Sequence, residues 1–168
     1  MSNWKNVNNW HWVNKNCLPW AQAYFTDKVV GLETEKNGHK VKVSKMDECS
    51  GDVEVCQRKG KIITIYDVVL KYSWEGVAAD GTEVSGTIEI PEVDQDTELD
   101  EYVFTVSVKE EDTLKRNVRD VVKAQLTPLM RKQFSMFSKD LIQHHGSDVY
   151  IEVDKLGTAA PLRQATPL

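Results

Sequence analysis

The sequence predicts an α+β fold: a four-stranded antiparallel meander with an N-terminal helix and a long, kinked C-terminal helix, in one elongated domain. Three observations predict it. Segments of period-two alternation between Lys40 and Lys109 are separated by short turn signals. Apolar residues then recur every three or four positions from Thr113 to His145. The chain has 168 residues, a length that suits a single domain at about 100–200 residues each. Leu, Ile, Val and Phe supply about a quarter of it, above the roughly one-fifth level associated with disorder.

Residues 1–13 read as an extended, aromatic-rich arm. Helix 1 is expected from about Asn14 to Lys28, capped by Asn14 or Asn16, with Pro19 tolerable in the first turn. Its apolar stripe is Cys17, Trp20, Ala21, Tyr24 and Phe25. A first strand spans Lys40 to Glu48, and Ser50-Gly51-Asp52 is a turn signal. A second, long strand runs from Val53 to Glu75, where Gly60 marks a bulge or bend. Ala79-Asp80-Gly81 turns the chain into a third strand, Glu83 to Ile90, ending at Pro91.

Residues 92–101 carry six acids and no base, and read as a solvated loop. Tyr102 to Lys109 forms the fourth strand. The apolar face of the last helix comprises Leu114, Val118, Val121, Val122, Leu126, Leu129, Met130, Phe134, Phe137, Leu141 and Ile142. Pro128 should kink it near Gln125, and Gly146 is its expected C-cap. Val149 to Val153 reads as a short strand. The domain is expected over residues 14–156, with 157–168 a disordered tail or linker stub.

Composition narrows the function. The net charge of −5 argues against nucleic acid or an anionic membrane as a partner of the whole surface. No apolar run approaches the ~20 residues that span a bilayer. The polar N-terminus lacks the apolar core of a secretory signal, so a cytoplasmic location is expected. Cys17, Cys49 and Cys56 form an odd set without a CxxC pair, which suits a reducing compartment; a Cys49–Cys56 bridge is not expected. The four histidines (His11, His39, His144 and His145) have no zinc-ligand spacing, so neither metal nor cofactor is expected.

Catalytic constellations are also missing from the sequence. There is no nucleophile elbow, GxGxxG, Walker loop, HExxH or paired-acid motif, and an enzymatic role is not expected. Glu110-Glu111-Asp112 reads as acidic complement to the following helix N-terminus. Two segments stand out instead. Asn6, Asn8, Asn9, Trp10, His11 and Trp12 pack hydrogen-bonding amides among interface-favoured tryptophans. A tryptophan of this arm can also fold back onto the domain, and both uses are compatible. The second segment is Gln57-Arg58-Lys59-Gly60-Lys61, where cations interrupt a β-branched run. It is either a solubilising edge or a compact contact for carboxylates or phosphates. A third candidate is the acidic loop, through Asp96, Glu98 and Asp100. Residues 92–112 hold nine acids against Lys109 alone, whereas 113–145 hold seven bases against two acids, so docking should be steered and salt-sensitive.

The run NVNNWHWVNKN, then QRKGKIITIYD, then IEIPEV, resembles the N-terminal domain of the activators of the heat shock protein 90 ATPase, over about Asn6 to Asp148. The family's asparagine–tryptophan–histidine motif maps onto Asn6, Asn8, Asn9, Trp10, His11 and Trp12, and its basic motif onto Arg58, Lys59 and Lys61. The resemblance implies a monomeric co-chaperone that binds the chaperone's middle domain. It would help an arginine-bearing catalytic loop reach the nucleotide and favour the closed, hydrolysis-competent dimer. Many relatives carry a second, C-terminal domain, so a chain ending at Leu168 is expected to be a fragment or a single-domain relative with weaker stimulation. The rival reading is an α+β module that binds a small hydrophobic ligand between sheet and helix.

Overall fold

Residues 12–149 are described by the computed structural model. Their strands are β1 (Trp12–Asn16), β2 (Glu33–Lys36), β3 (His39–Arg58), β4 (Lys61–Val77), β5 (Glu83–Asp94) and β6 (Thr105–Val108). All pairings are antiparallel, in the order β1-β3-β4-β5-β6, and β2 pairs with the other end of β3. The sheet therefore has six strands rather than the four expected. Both additions come from short segments. Residues 12–16, read as arm and helix start, lie flat against β3, with Asn14 opposite Cys56. Glu33–Lys36 is joined to β3 through Asn37-Gly38, both at positive φ (57° and 82°), the geometry that Asn-Gly adopts in a two-residue hairpin.

The long strands divide differently from the expectation. No turn forms at Ser50-Gly51-Asp52: β3 runs through it, because residues on both sides find partners on β4, from Lys40↔Val77 to Arg58↔Lys61. Gly51 permits this. It sits at φ 131°, and a Cβ there would lie 2.1 Å from the Asp67 carbonyl oxygen. The turn lies instead at Lys59-Gly60 (φ 53° and 83°), so the expected strand from Val53 to Glu75 is two strands folded on each other. Register shifts between Val43 and Lys45 and between Met46 and Glu48 bend β3. β5 continues past Pro91 to Asp94, which shortens the acidic loop.

One face of the sheet is covered by helices. Helix α1 (Leu18–Val29) begins later than Asn14, where Pro19 occupies the first turn and the Asn16 side-chain oxygen accepts from the Leu18 N–H at 2.9 Å. The last helix comprises α2 (Thr113–Val121), a π-helical turn (Val122–Leu126), α3 (Thr127–Ser135) and α4 (Phe137–His145). Asp112 caps it, accepting from the Lys115 N–H at 2.8 Å. Pro128 lacks the N–H that would bond back to Ala124, and the preceding turn widens so that the Thr127 N–H reaches Val122 O. The break thus falls where the proline predicts it. Gly146 ends α4 in helical geometry (φ −60°) and opens a 3₁₀ turn, Gly146–Asp148, rather than a left-handed cap.

The core lies between the layers. Val41, Val53, Val68, Leu70, Tyr72 and Trp74 face Phe25, Leu126, Met130, Phe134, Phe137 and Leu141, and all twelve are buried. Phe25 stacks on Phe137 at 4.6 Å between centroids, and Tyr66 meets Phe137 edge-on at 4.8 Å. Leu129 and Ile142, assigned to the apolar face by spacing, are instead exposed (37% and 36%). Among the described residues no helix is long and apolar enough to cross a membrane. The expected strand at 149–153, apart from Val149, and the tail at 157–168 lie outside the described residues, as do residues 1–11.

Candidate interaction site

The cationic segment is the tip of the β3–β4 hairpin. Arg58 and Lys61 are directly opposite each other, and cross-strand partners project to the same face, with Cβ atoms about 5 Å apart. Lys59 occupies the turn between them, and all three cations are exposed. One feature of this tip opposes folding. Lys59 holds a left-handed conformation that costs a residue with a Cβ roughly 1–2 kcal/mol. The bend expected at Gly60 is therefore a complete reversal, which gathers cations that a straight strand would divide between its faces.

The start of β1 lies at the same place. Trp12 is the register partner of Arg58, and Val13 that of Gln57. The last residue of the Asn/Trp motif is thereby held one strand away from the cationic tip, although far from it in sequence. Asn6, Asn8, Asn9, Trp10 and His11 lie outside the described residues. A cluster ties β1 to the end of the last helix: Lys15 Nζ donates to Asp148 Oδ2 at 2.6 Å, and His145 Nδ1 lies 3.1 Å from the same oxygen. The Lys15 hydrogen bond, supplemented by His145, holds the Asp148 carboxyl below the usual carboxylate range.

Alternation along β3 and β4 defines the open face below the tip. The row Arg58/Lys61 is followed by Cys56/Ile63, then Glu54/Ile65, then Asp52/Asp67 with Asp94 of β5 opposite Asp67. Ile65 is 38% exposed, and Asn14 of β1 donates to Glu54 at 3.2 Å on the same face. A cationic tip, a partly apolar strip and a row of three aspartates thus share one face of the sheet, on which Cys56 is buried and Ile65, Asp52 and Asp67 are exposed. Sequence reasoning missed the isoleucines and the aspartates, because only the register assigns Ile63 and Ile65 to this face. It also missed Gln57, which is fully buried under the tip with neither amide atom hydrogen-bonded among the described residues.

The acidic loop flanks this surface. It is pinned to β4 by the Tyr66 N–H, which donates to the Gln95 side-chain oxygen at 2.8 Å, and to the end of β5 by Asp94, which accepts from the Asp96 N–H and the Thr97 hydroxyl. Asp96, Glu98 and Asp100 are exposed beside Leu99 and Val103, which are 54% and 60% exposed. Glu110, Glu111 and Asp112 serve the helix start: Asp112 caps it and Glu111 pairs with Arg116 and Arg119. The three cysteines are free and buried, and burial pushes the Cys49 and Cys56 thiols up to about 11. A groove of about 920 Å³ at the opposite end of the sheet is lined by Glu33, Glu35, Lys40, Lys42, Glu75 and Glu83 among others, a charged lining unlike that of an apolar-ligand cavity.

Comparison with known proteins shows the family of the chain. The family described as Activator of Hsp90 ATPase, N-terminal, matches residues 14–145. Hsp90 co-chaperone AHA1 of Saccharomyces cerevisiae is 38% identical over 152 residues, covering 87% of this chain and 43% of that protein. Hsp90 co-chaperone HCH1 of the same yeast is 31% identical over 157 residues, covering 87% of this chain and 97% of that protein. The chain therefore spans about half the length, or less, of AHA1 and of several other curated relatives, but nearly the whole of HCH1. The crystal structure of Aha-1 from Plasmodium falciparum shares the fold, with a TM-score of 0.70 at 24% identity over 79% of this chain and 90% of that one.

Proposed function

From the premise that this chain belongs to the family of activator of Hsp90 ATPase N-terminal domains, we propose that it is a co-chaperone that binds Hsp90 and stimulates its ATPase. The contact is with the chaperone's middle domain. Arg58, Lys59 and Lys61 meet anionic groups beside the catalytic loop, and the arm through Asn6, Asn8, Asn9, Trp10, His11 and Trp12 acts on the same loop. Asp96, Glu98 and Asp100 make a second, weaker contact. The protein works in the cytoplasm as a monomer, without a cofactor and without a catalytic group of its own.

The observation that carries this reading is the pairing of Trp12 with Arg58. The last residue of one motif is thereby the register partner of the first cation of the other, which supports a docking event that presents both to the same partner element. The exposed Ile65 and the adjoining Ile63 supply apolar contact beside the charges.

Activation on this reading is a shift of population. The activator binds the hydrolysis-competent state of the chaperone more tightly than the open one, and the rate rises with the population of that state. A complete shift from 1:99 to 99:1 needs about 10⁴-fold differential affinity, ~5.5 kcal/mol. A single hairpin contact supplies only part of this, which is consistent with an arm that adds to it. Residues 14–156 form the binding domain, with 1–13 as the arm and 157–168 as a tail.

The test is the ATPase rate of purified Hsp90 titrated with this chain at low salt, with an inhibitor of the nucleotide site defining the background. A saturable rise, abolished by Arg58→Ala with Lys59→Ala, is expected. Removal of residues 1–11 leaves β1 intact and should lower stimulation more than affinity. Absence of binding by the intact chain would overturn the proposal.

A further inference from the structure

The outward side of the last helix carries a second feature, on the layer opposite the open sheet face. Leu129, Met136 and Ile142 are 37%, 40% and 36% exposed, although the spacing of Leu129 and Ile142 is that of core positions. The core takes Met130, Phe134, Phe137 and Leu141 instead. Between the exposed apolar residues stand Lys132 and Lys139, also exposed, so Leu129, Lys132, Met136, Lys139 and Ile142 recur at intervals of three and four through α3, the turn at Met136 and α4. From Leu129 to Ile142 this stripe is roughly 20 Å long at 1.5 Å per residue.

The charges on the stripe have no ion-pair partner among the described residues. Lys115, Arg116 and Arg119, at the start of the same helix, are each paired with Glu110, Glu111 or Asp120. Among the described residues Lys132 and Lys139 make no ion pair. The single acid between Thr127 and His145 is Asp140, whose carboxylate accepts from the Tyr24 hydroxyl at 2.6 Å. A chain with net charge −5 thus maintains a purely cationic, partly apolar strip on one helix.

We propose that this stripe is a second docking surface, whose partner is an acidic amphipathic segment of another protein. The apolar side chains of that segment would lie against Leu129, Met136 and Ile142, with carboxylates beside Lys132 and Lys139. The alternation of cations with apolar side chains at helical spacing fits a helix of opposite charge laid along it. Lys132 and Lys139 are fewer cations than the clusters of about four to eight that bind anionic lipid, which disfavours a lipid surface as the occupant. The inference is independent of the hairpin and of the co-chaperone reading.

The test uses the full chain, ¹⁵N-labelled, and a synthetic amphipathic helix with leucine along one side and glutamate on both flanks. Saturable binding is expected, with amide shifts confined to residues 128–143 and weakened by salt. Lys132→Glu with Lys139→Glu should weaken binding about tenfold or more and restore it for the peptide with lysine in place of glutamate. Both positions are exposed, so the unfolding midpoint should hold; Met136→Ser is the second variant and should weaken both peptide pairings. Shifts centred on residues 58–61, undiminished binding by the charge-reversed variant, or binding to phosphatidylserine vesicles but not to the peptide would each overturn the proposal.

Discussion

Replacing Lys59 with asparagine should make the protein more stable and a poorer activator at once. Lys59 is the first turn residue of the β3–β4 hairpin at φ 53°, followed by Gly60 at 83°. This turn requires left-handed backbone at both positions, and Asn-Gly is the pair that best adopts it. A residue with an ordinary side chain there costs roughly 1–2 kcal/mol, and asparagine recovers part of that through its tolerance of the conformation. The expected gain is about 1 kcal/mol. The substitution also removes the charge between Arg58 and Lys61, which are already opposite each other.

For a chain of this size a gain of about 1 kcal/mol raises Tm by about 2–4 °C, and urea unfolding followed by tryptophan fluorescence would measure it directly. In the ATPase titration the same variant should need roughly tenfold more protein for half-maximal stimulation, ~1.4 kcal/mol of lost coupling. Lys59→Arg keeps both the charge and the strain, and should change neither property. An unchanged or lowered unfolding midpoint would refute the account of the turn. A stabilised variant with full stimulation would refute the assignment of Lys59 to the contact.

Three further outcomes follow from the structure. Gly51→Ala should cost about 2–4 kcal/mol in urea unfolding, because the new Cβ would lie 2.1 Å from the Asp67 carbonyl oxygen and 2.9 Å from Val68 Cα; a neutral result would mean that β3 does not run through this point. Asp148→Asn should be less stable than the parent at neutral pH. The Asp148 carboxyl is held below its unfolded value of about 3.9, so its contribution is present above that pH and is lost as pH falls through the folded-state value. A stability gap that does not narrow as pH falls below about 3.9 would exclude the Lys15 contact as its source. Buried thiols raised to about 11 should resist alkylation: native protein at pH 8 should label slowly at Cys49 and Cys56, and denatured protein fast, as read by mass spectrometry.

Much of this molecule was legible in residue order alone. Alternation marked most of β3, β4 and β5, because a strand with one buried face must repeat with period two. The three-and-four spacing marked the last helix, and Pro128 marked its break, because a missing N–H acts locally whatever surrounds it. Chemical type singled out Arg58, Lys59 and Lys61. The resemblance of the motifs named the family that the comparisons then showed.

What the order of residues left open were the choices that depend on partners far along the chain. Ser50-Gly51 and Lys59-Gly60 are both plausible turns, and only pairing with β4 decides that the first stays extended and the second reverses. Leu129 and Ile142 have core spacing, yet the core is already filled by their neighbours, because the π-helical turn and the break at Met136 reset which side of the helix faces the sheet. The open face, with its isoleucines and its row of aspartates, exists only once register assigns each residue a side. The meeting of Trp12 with Arg58 is of the same kind: two residues far apart in the chain become register partners through hydrogen bonds between strands that local propensity does not specify.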